Sequence, residues 1–460
     1  MAMVPSQRLA LARPQASERV PPTKRAGTGP LSRLVVFAFV AFTCSMPFEA
    51  ALLLGGEGLF SISRLVGYGF FGLAFLRPGI SFRKPPRAFW FFLTYFGIYL
   101  LTGLYQPAVY WPEITWIAFR LTQFFALFWV AYSLFQIEYV TRWSLWALGL
   151  ASVGVGALLA VGVGVSQYRG LSGRQTVFGQ GPNTIAAIIA LGGVALIGLA
   201  YGKTGARQSV KAIAWGGFLV VAVAITRTGS RGALVGLAAG LLTLLASHGS
   251  AKMRLRNAMI VILALGACAA ITIASSTTSS RWNRTIQEGN LAGRDRIFRS
   301  AFFMIIEKPI LGWGPASNYY ELGRRLGLPK RDTHNLILWL LTEQGLLGAA
   351  PFFAGLILCA RAAWRARRGS QGLLPLALFA AVMCVNLAGT YYVTKWFWFV
   401  MAYALASATH VGRRRVPSAS TGRGRRPIGL RVSARHRVTG PRTVFPVAGI
   451  PSRLQRSSED

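Results

Sequence analysis

Three short segments of this 460-residue chain carry residue types suited to chemistry. His334 stands in RDTHN, residues 331–335, immediately ahead of an apolar run, and Arg231 opens another apolar run, RGALVGLAAG. GRDR, residues 293–296, sets Arg294 and Arg296 before a third such stretch, Ile297 to Ile306. A guanidinium stays ionised and grips phosphate oxygens two at a time. An imidazole titrates near neutrality, so it can take a proton from an attacking hydroxyl. The only aspartates are Asp295, Asp332 and Asp460, so there is no DxD pair. Enzymes that hold Mg²⁺ against phosphate oxygens generally need such carboxylates, and the census fits arginines in the metal's place. The four cysteines, Cys44, Cys268, Cys359 and Cys384, lie in apolar runs without CxxC spacing, which suggests neither disulfides nor zinc.

The elements that must position these residues are membrane helices. Hydrophobic residues make up 53% of the chain and charged ones 14%, against about 25% charged in soluble domains, which argues against a water-soluble enzyme. A bilayer core needs about 20 mostly apolar residues per helix. Spans are expected at 34–54, 59–76, 88–105, 114–136, 143–165, 183–201, 210–226, 231–248, 257–275, 337–361, 372–389 and 393–410, twelve in all, with both termini on one side. The first reads as a retained span, since its leading segment is too long for a typical signal peptide. The expected fold class is an all-α polytopic bundle with one long outer loop.

The charge balance, 50 Lys+Arg against 13 Asp+Glu, then sets an orientation. With the N-terminus inside, the inner connections hold Arg77, Arg83, Lys84, Arg87, Arg142 and further cations, while short outer ones hold few. Residues 1–33 and 411–460 read as disordered basic cytoplasmic arms that lack the apolar content to order and that contact anionic lipid headgroups; nucleic-acid binding is the weaker reading. The long loop, 276–336, falls outside yet is rich in cations, which suggests an anionic ligand there. Ile297 to Ile306 is too short to span and is flanked by charges, as an interfacial helix would be. PILGWGPAS, 309–317, forces a turn. A short polar helix is expected at Asn318 to Leu326, and Asp332 or Thr333 is placed to cap the next span. Gly232, Gly236 and Gly240 share one helix face, a spacing that lets membrane helices pack closely.

SRG at 230–232, GR at 293–294, PILGWG at 309–314, HNLILWLLTEQGLLG at 334–348 and GQGPN at 179–183 together resemble the O-antigen ligase and Wzy-type polymerase superfamily over about residues 180–360. The resemblance implies a class-C-like membrane glycosyltransferase, inverting and metal-independent, without cofactor. It would move glycan from an undecaprenyl-diphosphate donor to a lipid A core or a growing glycan, on the outer face of the bacterial inner membrane. The family's essential arginines match Arg231 and Arg294, and its histidine matches His334. The tryptophan that often follows the second arginine by four residues is Phe298 here, so that alignment could slip to Arg296.

Further residues join as candidate substrate ligands: Arg296, Arg64, Arg120, Asn183 and Asn335. Arg64 and Arg120 would extend a diphosphate pocket, or pair with Glu57 or Glu113. Each principal residue has a plainer role open to it. Arg231 could snorkel, Arg294 could pair with Asp295 or Glu288, and His334 could merely neighbour a cap. Asn183 could cap its helix. Glu343 lies nine residues past His334, a rise of about 13.5 Å, and reads as a helix anchor beside Gly345 and Gly348. A flippase would have a similar number of spans, but with charges through the bundle centre and an inverted repeat. A protein-directed transferase and a non-catalytic scaffold are the remaining readings.

Overall fold

A computed structural model describes residues 29–49, 51, 61–167, 174–201, 207–246, 251–275, 279, 282–283, 286–287 and 293–413. Most of both basic arms, together with Glu57, His248 and Glu288, lies outside the described residues. The helices are α1 (Pro30–Ser45), α2 (Ile62–Phe75), α3 (Pro78–Ser81), α4 (Arg87–Leu104), α5 (Trp111–Phe135), α6 (Glu138–Val161), α7 (Pro182–Ala200), α8 (Gln208–Thr228), α9 (Arg231–Thr243) and α10 (Ala251–Ala274). They are followed by α11 (Arg294–Glu307), α12 (Ser317–Arg325), α13 (Leu336–Ala366), α14 (Leu374–Asn386) and α15 (Lys395–Ser407). Between α6 and α7 a small antiparallel ribbon joins β1 (Val165–Gln167) to β2 (Gln175–Val177), with Ser166 opposite Thr176.

Eight helices among the described residues are long and apolar enough to cross a membrane, so the protein is an all-α polytopic membrane protein. Each of the twelve expected spans falls on a helix. However, α2 has 14 residues and α9, α14 and α15 have 13 each, fewer than the roughly 20 that a crossing needs. Helix length therefore supports eight crossings and leaves the other four as a proposal.

Helix α7 is apolar around its whole circumference and buried along nearly all of it, as a central helix must be. Its glycines let neighbours come close: Gly192 lies against Ser152 of α6, Gly193 against Val221 of α8, and Gly198 against Leu374 of α14. The glycine stripe of α9 works as expected. Gly232 faces Ala388, Gly236 faces Val385 and the Ala381 carbonyl, and Gly240 faces the Ala377 carbonyl. These contacts fix the start of α9 against the chain leaving α14. The other half of the core is aromatic, with Phe92, Phe125, Phe128 and Phe352 packed edge-on around Trp398 at centroid distances of 4.9–6.2 Å.

The long helix α13 is broken at Gly345, whose φ of 57° and ψ of −159° only glycine adopts readily. The PILGWG loop fills the break. Trp313 and Gly314 donate to the carbonyls of Thr342 and Glu343 at 2.8 Å, while Leu346 and Leu347 donate to those of Pro309 and Ile310 at 2.8 and 3.0 Å. A broken helix at membrane depth stands only where other protein groups satisfy its freed backbone, so PILGWG and EQGLLG are two halves of one structural unit. A Cβ on Gly345 would run into the Ile310 carbonyl. Gly345→Ala is thus expected to destabilise the protein by about 3 kcal/mol or more, seen as a large fall in the unfolding temperature in detergent. An unchanged temperature would show that the break tolerates a side chain.

The two short helices of the long loop lie close to their expected places. Helix α11 leaves Phe302, Phe303 and Ile306 more than half exposed, an apolar face suited to the membrane interface. One expectation is corrected: α13 is capped neither by Asp332 nor by Thr333. The Asn335 side chain accepts from the amides of Ile337 and Leu338 at 2.9 and 3.2 Å, because Asn335 is the residue with extended backbone just outside the first turn.

Candidate active site

Two helix starts meet at Ala388. Gly232 brings α9 against its side chain, and Arg294, first residue of α11, donates to its carbonyl at 2.7 Å. The start of α7 contributes Asn183 to the same place. The result is a chamber of about 40 Å³ lined by Asn183, Ser230, Arg231, Gly232, Arg294, Ala388 and Tyr391, among others. Three helix N-termini converge on it, each with a partial positive charge, and two guanidinium groups add full ones. Burial lowers the Arg294 pKa from its ordinary value, with Tyr391 and Asp332 opposing and Arg331 reinforcing, but a guanidinium remains charged at any physiological pH.

A larger chamber of about 470 Å³ shares Asn183 and Tyr391 with the first. Its wall includes His334, Asp332, Arg174, Arg120, Glu49 and Thr390. His334 has a φ of 51°, uncommon for any residue with a Cβ. Its neighbours impose it: the His334 amide donates to Asp332 Oδ1 at 2.5 Å, and Thr333 Oγ1 donates to the Asn335 carbonyl at 2.9 Å. Asp332 is itself held by Thr390, whose hydroxyl donates to the same oxygen at 2.8 Å. The His334 Nδ1 stands 3.9 Å from that oxygen. The imidazole is thus aimed by a local turn clamped to the segment between α14 and α15.

Burial lowers the His334 pKa from the ordinary imidazole value of 6.5; the Asp332 carboxylate opposes this, and Arg331 and Arg294 add to it. The ring is therefore neutral near pH 7. A base must be unprotonated to act, so activity rises as pH climbs through this lowered pKa. The acid limb of a pH–rate profile is expected below about pH 6.5, with a plateau across neutrality. A limb above pH 7 would exclude His334 as the base. Tyr391 has its phenol pKa raised by burial and by Asp332, against Arg294 and Arg174, so it remains a hydrogen-bond donor between the two chambers.

The structure brings Arg231, Arg294, His334, Asn183 and Arg120 to these walls. It does not bring three other candidates there. Arg296 is exposed, two residues and so about 200° around α11 from Arg294; the helix turn settles which arginine faces the chamber. Asn335 is occupied as the α13 cap, with its Nδ2 donating to the Leu387 carbonyl at 3.4 Å. Arg64 sits on α2 within electrostatic reach of Arg120 but lines neither chamber. Asn183 does not cap α7; its Oδ1 accepts from Arg174 Nη2 at 2.9 Å. Glu113 receives the Tyr320 hydroxyl at 3.1 Å. Glu343 is fully buried and accepts from Tyr95 of α4 at 3.0 Å, as a helix anchor would.

Several wall residues escaped sequence reasoning: Arg174, Asp332 in its present role, Thr390, Tyr391 and Glu49. Only Asp332 left a signal, since an aspartate two residues before a histidine can form a turn with that residue's amide. Beyond Arg231, α9 turns Leu234, Val235 and Ala238 into an apolar groove of about 440 Å³, with Leu265, Cys268 and Ala269 of α10 opposite.

Among known protein families, the O-antigen ligase model matches residues 216–353, a segment that contains Arg231, Arg294 and His334. The match is narrower than the likeness read from the sequence and stops short of GQGPN at 179–183. No curated protein matches the chain. The matched segment marks a multi-pass membrane enzyme of the glycan ligase or polymerase kind, with lipid-linked glycan and a saccharide acceptor as its general substrates.

Proposed function

We propose that this membrane enzyme with an O-antigen ligase segment is a metal-independent, inverting glycosyltransferase. It moves glycan from an undecaprenyl-diphosphate donor to a saccharide acceptor on the outer face of the bacterial inner membrane, with both termini in the cytoplasm. The observation that carries the reading is the pair of chambers: two arginines and three helix starts in one, the neutral, aimed His334 in the other, and Asn183 and Tyr391 common to both.

The donor's diphosphate sits at Arg231 and Arg294, and its polyprenyl chain runs into the apolar groove that begins one turn beyond Arg231. An acceptor hydroxyl in the larger chamber attacks the anomeric carbon from the side opposite the diphosphate. As the new C–O bond forms, the hydroxyl proton passes to His334, and the C–O bond to phosphate breaks. The electron pair leaves on the diphosphate, where the arginines stabilise the developing charge. The anomeric centre inverts because attack and departure occur on opposite faces. Fixed cations positioned before the reaction need no reorganisation during it.

The test is transfer by purified protein in detergent with EDTA, an undecaprenyl-diphosphate oligosaccharide and two acceptors, a lipid A core and a second molecule of the lipid-linked glycan, with products resolved by mass. Chain lengthening that fails in His334→Ala identifies a polymerase, and transfer to the core identifies a ligase. No release of undecaprenyl diphosphate with either acceptor would overturn the reading in favour of a transporter.

A further inference from the structure

The larger chamber continues past His334 to an end that the transfer step does not use. Glu49, Arg120, Val393 and Thr394 line it. Arg120 Nη2 donates to the Val393 carbonyl at 3.1 Å, and its guanidinium lies 4.6 Å over the Trp116 ring. Glu49 Oε1 lies 3.5 Å from Lys395 Nζ, which also donates to Ser63 Oγ at 2.9 Å. Helices α2, α5 and α15 and the segment that follows α1 thus converge on one cluster, through Ser63, Arg120, Lys395 and Glu49.

The hydrogen-bonding character of the two ends differs. The small chamber presents donors, Arg231, Arg294, Asn183 and the Tyr391 hydroxyl, and among the described residues no carboxylate lines it. A diphosphate only accepts, so donors alone suit it. The far end of the large chamber presents a carboxylate beside a guanidinium and a hydroxyl. A carboxylate there would repel a diphosphate but accepts well from sugar hydroxyls, which both donate and accept. The charges also divide: Arg120 falls within reach of Arg64 and Glu49, whereas Arg294 falls within reach of Arg331, Asp332 and Tyr391.

From this division we infer that Glu49 and Arg120 form the acceptor-saccharide subsite, and that Arg120 does not extend the diphosphate pocket. His334 then stands between acceptor and donor, where a base for the attacking hydroxyl must be. The inference rests on the transferase reading above.

The experiment is steady-state transfer with the same donor and two acceptors, the lipid A core and a lipid-linked glycan whose anomeric oxygen is replaced by a methylene group so that it accepts but cannot donate, varying each substrate in turn. Glu49→Gln keeps the shape and removes the charge. Arg120→Gln removes the donor fork. Each is expected to raise the KM for the acceptor about 10- to 100-fold, the effect of one lost charge-assisted hydrogen bond, with the KM for the donor within about twofold. Arg294→Lys is expected to show the reverse split. Monodispersity on a sizing column checks that each variant is folded, and Arg120→Lys serves if Arg120→Gln is not. A rise in donor KM with acceptor KM unchanged, or an equal rise in both, overturns the subsite. Wild-type protein that transfers to neither acceptor overturns the transferase reading and the subsite with it. Transfer by the wild type with an unmoved acceptor KM in Glu49→Gln and in the Arg120 variant overturns the subsite alone.

Discussion

His334→Ala is expected to reduce glycan transfer by about 10²–10⁴-fold, the usual worth of a positioned general base, with little effect on the amount of folded protein. The imidazole lies at the chamber wall and is partly exposed, so its removal opens no core cavity. The turn that aims it depends on backbone and neighbouring groups: the residue-334 amide to Asp332, Thr390 to Asp332, and Thr333 to the Asn335 carbonyl. Alanine keeps all of these bonds and loses only the ring. His334→Gln is a sharper control, since it restores a polar side chain without a titratable base and should not recover activity. Transfer within threefold of wild type in His334→Ala would remove the imidazole from the mechanism.

The second large effect is expected at the arginines. Arg231→Ala and Arg294→Ala should each lower kcat/KM for transfer by about 10²–10³-fold, as loss of one preorganised donor to a developing anion does. The double variant should fall short of the product of the two, since both act on one leaving group. Arg294→Lys should recover little. The Arg294 guanidinium already holds the Ala388 carbonyl at 2.7 Å with one nitrogen; a fork can do this and still face the chamber, while a single ammonium cannot do both as well. Burial acts on the same position, and lysine starts from a lower pKa and so loses charge more readily when buried. EDTA should leave the wild-type rate unchanged. Rates in either alanine variant near that of wild type would detach the arginines from the leaving group.

How far the sequence leads differs from one feature to the next. The glycines at 232, 236 and 240 announce a close helix contact because their spacing is that of one helix face, and α14 is the neighbour they meet. A short helix with an apolar face at α11 is equally plain from a short apolar run between charges. The register of its arginines is not, because Arg294 and Arg296 are equivalent as residue types and differ only in the direction each faces from the folded helix. The family-like strings at 309–314 and 343–348 look like site motifs, yet they form the joint between a loop and a broken helix. A string shows that glycine is present; it does not show which backbone must approach it.

The length and number of the apolar runs by themselves determined that the chain is a helical membrane protein, because about 20 consecutive apolar residues span a bilayer as a helix, whereas a spanning strand needs only about 10. The scarcity of aspartates and the placing of arginines and a histidine beside apolar runs also pointed, without any coordinates, to anion binding and base chemistry. Only the tertiary structure decided the rest. The clamp of Asp332 by Thr390, the pairing of Arg174 with Asn183 and the meeting of Glu49 with Lys395 join separate segments of the chain, and no local periodicity encodes such contacts. They arise where helices packed for apolar burial bring their polar ends together, so the shape of the cavity and the sharing of its walls are properties of the packing.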